Sequence, residues 1–222
     1  MSRPIAVLRP EPGNRVTAAA IEAHARRAVR LPLFDVALVA WDAAEPAGFD
    51  ALILTSANAL RHGGPALAAL TALPVYAVGE ATAEAATRAG FAVAATGSDG
   101  AAGIVSIAGR AGVRHALHLA GRERTLEPGG IVAAIRTVYA TATRAISPAD
   151  LASLRGTVAM LHSPRAAARL AELLDPEART QVRLAAVSSR ALKRAGPGWE
   201  AATLAAAPTN AALVEAALAL AD

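Results

Sequence analysis

The stretch Ala51–Gly64, ALILTSANALRHGG, decides how the rest of the chain is read. Four apolar residues, Ala51 to Leu54, run directly into Thr55, Ser56 and Asn58, as a buried strand does when it delivers small hydroxyl and amide side chains to a helix start. The same order recurs along the chain. The short apolar runs PIAVLR, ALILT, VYAV, FAVAA, HALHLA, TVAMLH, VRLAAV and EAATLAA each lead into a turn or cap and an alanine-rich helical pattern, the signature of a parallel sheet with crossover helices. Two segments interrupt this rhythm, AVRLPLFDVALVAW (28–41) and IRTVYATATRAI (135–146). Both are long, β-branched and without an obvious sheet partner, and they read as extended connectors.

Internal repetition accounts for there being two. ALILTSANALRH has a counterpart in VAMLHSPRAAAR, VYAVGEATAEAATRAG in RLAAVSSRALKRAG, and AVLRPEPGNRVTAAAIEAHA in LHLAGRERTLEPGGIVAAIR, each displaced by about half the chain. The expected fold is therefore α/β, with two parallel-sheet domains related by internal duplication and joined by a two-stranded β connector. One domain is discontinuous, 1–33 plus 147–222, and the other continuous, 42–135, with connectors at about 28–41 and 135–146 that permit hinge motion.

Composition excludes several function classes. Of 222 residues, 54% are hydrophobic and 18% charged, so the chain is globular. Aromatic residues are only 3%, which favours close helix packing over large aromatic clusters. Cysteine is absent and no charged-then-apolar segment opens the chain, so a cytoplasmic location is expected. No apolar run approaches the roughly 20 residues of a membrane span. The excess of 22 Lys+Arg over 18 Asp+Glu, net +4, suits an anionic partner. The arginines are scattered singly and no aromatic–basic interleaving appears, which argues against nucleic acid. The close histidine pair, His115 and His118, falls on a strand where three-residue spacing points to opposite faces, so no metal site is expected.

Ser163 precedes Pro164, which is well tolerated at a first helical position, so Ser163 reads as an N-cap and Ser56 as its counterpart. Both stand at the carboxyl end of a parallel strand, where open α/β sheets bind ligands and free helix N–H groups attract anions. VGEAT at Val78–Thr82, SSR at Ser188–Arg190, GSDG at Gly97–Gly100 and PTN at Pro208–Asn210 extend the pattern. No glycine-rich phosphate or dinucleotide motif follows any strand. A larger ligand with several separated anionic groups fits better.

On VLRPEPGN, ILTSANAL, YAVGEATAEAATRAG, LHLAGRER, VYATA, LHSPRAAARL and APTNAALVEAAL, in that order and spacing, the sequence resembles the uroporphyrinogen-III synthase family over essentially its whole length. The resemblance implies two bridged α/β domains with the active site in the cleft between them, and cyclisation of hydroxymethylbilane with inversion of ring D and loss of water. It also implies no cofactor and no metal. The substrate carries acetate and propionate groups on every ring, and the chain is expected to act on it as a monomer.

By the same resemblance Tyr139 in VYATA matches the tyrosine that assists departure of the hydroxyl, and Thr55, Ser56, Asn58, Gly79, Thr82, Ser163, Ser188 and Ser189 match positions that bind substrate. Arg9 and Arg122 end corresponding strands and would meet substrate carboxylates. The stretch AVSSRAL departs from the more usual Ile-Gly followed by hydroxyl residues, which leaves open whether Ser188 or Ser189 binds. Two other readings are a non-catalytic two-domain small-molecule binding module and a degenerate synthase paralogue.

Overall fold

The computed structural model describes residues 2–42 and 45–222; Met1, Ala43 and Ala44, which fall within the expected domains 1–33 and 42–135, lie outside the described residues. The chain runs β1 (Ile5–Val7), α1 (Gly13–Glu22), β2 (Ala28–Arg30), β3 (Phe34–Leu38), β4 (Ala51–Leu54), α2 (Asn58–His62), β5 (Val75–Val78), α3 (Glu80–Arg88), β6 (Val93–Gly97), α4 (Gly100–Arg110), β7 (Ala116–Gly121) and β8 (Val132–Thr143). It continues through α5 (Pro148–Ala152), β9 (Val158–Leu161), α6 (Pro164–Leu173), α7 (Pro176–Arg179), β10 (Arg183–Ala186), α8 (Ser189–Ala195), β11 (Ala201–Leu204) and α9 (Asn210–Ala221). The fold is mixed α/β with parallel sheets, and each of the eight apolar runs supplies a strand. Contacts divide the chain into two compact units, Met1–Asp35 with Thr143–Asp222, and Val36–Ala142.

In the first unit the strand order is β11-β10-β9-β1-β2, and every neighbouring pair is parallel. Period-two alternation sends side chains to two layers. Ile5, Val7, Val158 and Met160 face a layer with Ile21, Leu213 and Ala217, while Leu8, Ala159 and Leu161 face one with Leu170, Leu174 and Leu184. Burial of each large aliphatic side chain stabilises by about 1.5–3 kcal/mol, whereas a helix cap is worth about 1 kcal/mol. The two apolar layers therefore hold the unit together, and the caps set where its helices begin. Five do so through side chains: Ser147, Ser163, Asp175, Ser188 and Thr209 each accept a hydrogen bond from the N–H three residues on.

The second unit is built on the sheet β3-β8-β7-β4-β5-β6, parallel from β8 to β6. Arg144 donates its backbone N–H to Leu33 and Val39 donates to Val138, so numbers rise along β3 as they fall along β8 and that pair is antiparallel.

Both segments read as connectors have sheet partners. Ala28–Arg30 is β2, parallel to β1 from Ile5↔Ala28 to Val7↔Arg30. Pro32, with no N–H to continue a ladder, separates it from β3. Residues 135–143 belong to β8, whose earlier part pairs with β7 from Ala116↔Val132 to Gly121↔Tyr139. β2 leads into β3 and β7 into β8 without an intervening helix, which is why each segment reads as a connector outside the strand–helix rhythm. No helix among the described residues is long and apolar enough to cross a membrane.

Two histidines are folded in as neutral rings. His118 in β7 is fully buried; its Nδ1 donates to the carbonyl of Ile53 at 2.8 Å and its Nε2 has no partner. Burial pushes its pKa down, against that hydrogen bond. His162, just after β9, is pushed from 6.5 to about 4, first by burial and then by the charge of Arg9, against a hydrogen bond to Asn210. In the unfolded chain both rings protonate near pH 6.5, and in the folded chain they resist. Stability is therefore full above about pH 6.5 and is lost as pH falls towards 4, at about 1.4 kcal/mol per unit of pKa difference. His162 alone accounts for about 3 kcal/mol on this basis. Urea midpoints measured from pH 7 to 4 are expected to fall for the parent protein and to fall less steeply for His162→Gln. Equal slopes would remove His162 as a source of the acid sensitivity.

Candidate functional site

Because β8, β7, β4 and β5 run the same way, their carboxyl ends share one edge of the second unit's sheet. Tyr139 lies there on β8, opposite Gly121 at the end of β7. A Cβ on Gly121 would stand 2.7 Å from two ring carbons of Tyr139 and 2.9 Å from its hydroxyl, so only glycine leaves room for the ring. The His62 ring centroid is 6.5 Å from that of Tyr139, with the planes at 41°. Burial, with a smaller push from Arg61, holds His62 below its usual pKa and favours the neutral ring.

The next strand, β4, delivers Thr55, Ser56 and Asn58 to the same edge. Ser56 Oγ accepts from the N–H of Asn58 at 3.2 Å, and Asn58 Oδ1 accepts from Arg61 at 3.2 Å. Ser56 is thus not the side-chain cap expected from Ser163. Ala57 intervenes before α2, shifting the serine's bond from the third N–H on to the second, and the N-cap is Ala57. One strand further, β5 ends at Gly79, whose φ of 76° favours glycine and starts α3 without a side-chain cap. Thr82 is buried in the first turn of α3. The N-caps of α2, α3 and α4 all lack a side-chain bond, so the first N–H groups of the long helices α3 and α4 remain for an anion, with the helix dipole in favour.

The first unit builds its edge differently. Arg9 follows β1 and packs on the start of α1, where a Cβ on Gly13 would stand 2.5 Å from Arg9 Nε. Asn14 donates to the carbonyls of Val7 and Arg9 at 2.7 and 3.0 Å and fixes this turn. Asn210, the first residue of α9, gathers three donors on its Oδ1: Thr17 Oγ1 at 2.7 Å, His162 Nε2 at 3.0 Å and Arg9 Nη1 at 3.3 Å. An amide oxygen only accepts, so the neutral His162 carries its proton on Nε2, and Nδ1 is shielded without a partner. Burial lowers the pKa of the Arg9 guanidinium.

The expected residues thus separate by unit. Thr55, Ser56, Asn58, Gly79, Thr82, Arg122 and Tyr139 belong to the second unit, and Arg9, Ser163, Ser188 and Ser189 to the first. Ser163 and Ser188 accept cap bonds at 3.1 and 3.2 Å, while Ser189 is exposed at the start of α8. Arg122 is exposed, its backbone N–H donating to Tyr139. Sequence reasoning missed His162, Thr17 and His62, and reached Asn210 only as part of the helix start Pro208–Asn210. For His162 a signal existed: it stands between an apolar run and the cap Ser163, as Thr55 stands before Ser56. Among the described residues no group of three or more His, Asp or Glu is placed to hold a metal ion.

Comparison with known proteins places this geometry in a family. A model described as uroporphyrinogen-III synthase HemD matches residues 15–215. A sequence search of curated proteins finds no match. Among solved structures, the uroporphyrinogen-III synthetase of Helicobacter pylori is similar in fold, with a TM-score of 0.66 and 18% identity over 98% of this chain and 99% of that one. A mutant uroporphyrinogen III synthase of Thermus thermophilus gives a TM-score of 0.54 and 15% identity over 96% of each chain. The family model runs from the first turn of α1 to within α9 and takes in every strand but β1, so the chain belongs to the uroporphyrinogen-III synthase family.

Proposed function

We propose that Tyr139 and the uncapped helix starts beside it carry the chemistry, and that the remaining polar strand ends hold the substrate. The reaction is that of the family: hydroxymethylbilane is closed to uroporphyrinogen III with inversion of ring D and loss of water. The observation that carries the assignment is the Tyr139 ring seated over Gly121, on the edge that also presents Thr55, Ser56 and the start of α3.

The terminal hydroxyl leaves as water when a proton reaches it, and the nitrogen lone pair of the pyrrole forms the exocyclic double bond of an azafulvene. The Tyr139 hydroxyl donates the hydrogen bond that favours this departure. Ring D then attacks through its substituted carbon to give a spiro intermediate, which proceeds to the inverted macrocycle. Unassisted closure gives the symmetric isomer, so the protein's main contribution is to hold the bilane where the substituted carbon is nearer the electrophile. Adjacent strands lie about 4.8 Å apart, so from β8 to β5 the edge spans on the order of 14 Å, the reach of linked rings rather than of a single phosphate. Backbone N–H groups of α3 and α4 suit the carboxylates in one unit. Arg9, Ser163, Ser188 and Ser189 suit them in the other, with Arg122, Asn58 and Thr82 completing the assigned set. In this reading the chain is a cytoplasmic monomer that uses neither metal nor nucleotide.

Incubation with hydroxymethylbilane, followed by oxidation and isomer separation, is expected to give type III product, equally after chelator treatment. A product ratio matching the enzyme-free control would overturn the assignment. Tyr139→Phe is expected to lower kcat and kcat/KM together by ~10–100-fold, at or below the low end of general-acid assistance, with KM nearly constant. A parental kcat would reduce Tyr139 to packing. Gly121→Ala, which crowds the ring, should destabilise by about 1–3 kcal/mol and lower kcat. In the Tyr139→Phe background it should cost little further activity, because both changes act on one group; additive losses would separate Gly121 from Tyr139.

A further inference from the structure

The first unit carries a groove of about 460 Å³, walled by Arg165 and Arg169 of α6 and Arg190 and Arg194 of α8. The helices create it directly. α6 turns Ala166, Ala167 and Leu170 to the core and α8 turns Ala191 and Ala195, so arginines four residues apart form two rows on the opposite faces. Pro164 and Ala168 give the floor an apolar character, and the Arg165 guanidinium lies 4.6 Å over the buried ring of Phe34.

The charges do not balance within the lining. Glu172 is the carboxylate of the groove and accepts from Arg169 Nη1 at 3.2 Å, while Arg169 Nε is shielded without an acceptor. Arg190 and Arg194 are exposed, and no hydrogen bond or ion pair engages them among the described residues. Like charges gathered in one concavity repel, and an anion relieves that repulsion. Guanidinium forks match carboxylate and phosphate alike. The apolar floor favours an anion on a flat carbon skeleton, and the volume lies in the ~300–1,000 Å³ range of small-molecule sites. Pro164, which lines the groove, directly follows the cap Ser163 at the end of β9, so the groove begins at the start of α6.

We propose that this groove takes one carboxylate-bearing pyrrole ring of the tetrapyrrole, its arms on Arg190, Arg194 and the Arg169 Nε–H. The groove is then a specificity-determining subsite that reads the number of carboxylates; this rests on the proposed function. The double variant Arg190→Gln/Arg194→Gln is expected to raise KM for hydroxymethylbilane about tenfold, two partly exposed contacts each giving roughly three- to fivefold, with kcat within twofold. It should also weaken binding of uroporphyrin about tenfold and make it less salt-sensitive, while Arg190→Lys/Arg194→Lys recovers part of the loss. Coproporphyrin, which lacks the acetates, should show a smaller difference between parent and variant. Unchanged KM and uroporphyrin affinity would overturn the proposal, as would a site that takes inorganic tripolyphosphate but not uroporphyrin. If the parent protein fails to make type III product, the functional reading falls separately, and the uroporphyrin titration still decides the groove.

Discussion

Parallel pairing is the constraint from which the rest follows. When neighbouring strands all run one way, their carboxyl ends and the helix starts that succeed them collect on a single edge. That is how Tyr139, Gly121, Thr55 and Gly79, spread over more than eighty residues of sequence, come to stand side by side on β8, β7, β4 and β5. The same pairing brings Arg9 and His162 together after β1 and β9. It also demands cover on both faces of each sheet, which the alanine-rich helices supply at close range.

The two units use that edge in opposite ways. In the first, serine and threonine side chains occupy the opening N–H groups of α6, α8 and α9, and the positive charge sits on Arg9 at the Asn210 junction and on the arginines of α6 and α8. In the second, the helix starts lack such side-chain bonds, and the first backbone N–H groups stay open. In the proposed reading, carboxylates suit guanidinium groups in the first unit and peptide N–H groups in the second. The first kind of contact is long-ranged and salt-sensitive, and the second is short-ranged and geometrically strict.

Much of this was legible in the residues. Four- to six-residue apolar runs bounded by turns locate the strands, and Ser163 before Pro164 and Thr209 before Asn210 locate caps that the structure contains. What escaped depends on three-dimensional register. β2 joins β1 across α1 as the strand–helix rhythm would have it, but Pro32 breaks the run 28–41 into pieces that serve different sheets, so the run reads as one connector. Ser56 fails as a cap through one inserted residue, Ala57. His162 and Asn210 are 48 residues apart, and nothing local announces their hydrogen bond. The seat of Tyr139 depends on Gly121 lying opposite it, a fact of strand alignment rather than of composition.

The place of β1 between β9 and β2 has a consequence for the order of assembly during synthesis. When the ribosome has released residues up to Ala142, the whole second unit is available, whereas β1 has β2 as its only partner. Two strands alone are marginal in water, so Leu8, Leu33 and Phe34 wait without their layer until β9, α6 and β10 arrive. The contiguous unit therefore folds first, and the divided unit closes the longest loop in the molecule, a slow step on entropic grounds. Asn210, which joins Arg9, Thr17 and His162, lies on α9, so the first unit's polar edge is completed only when α9 docks.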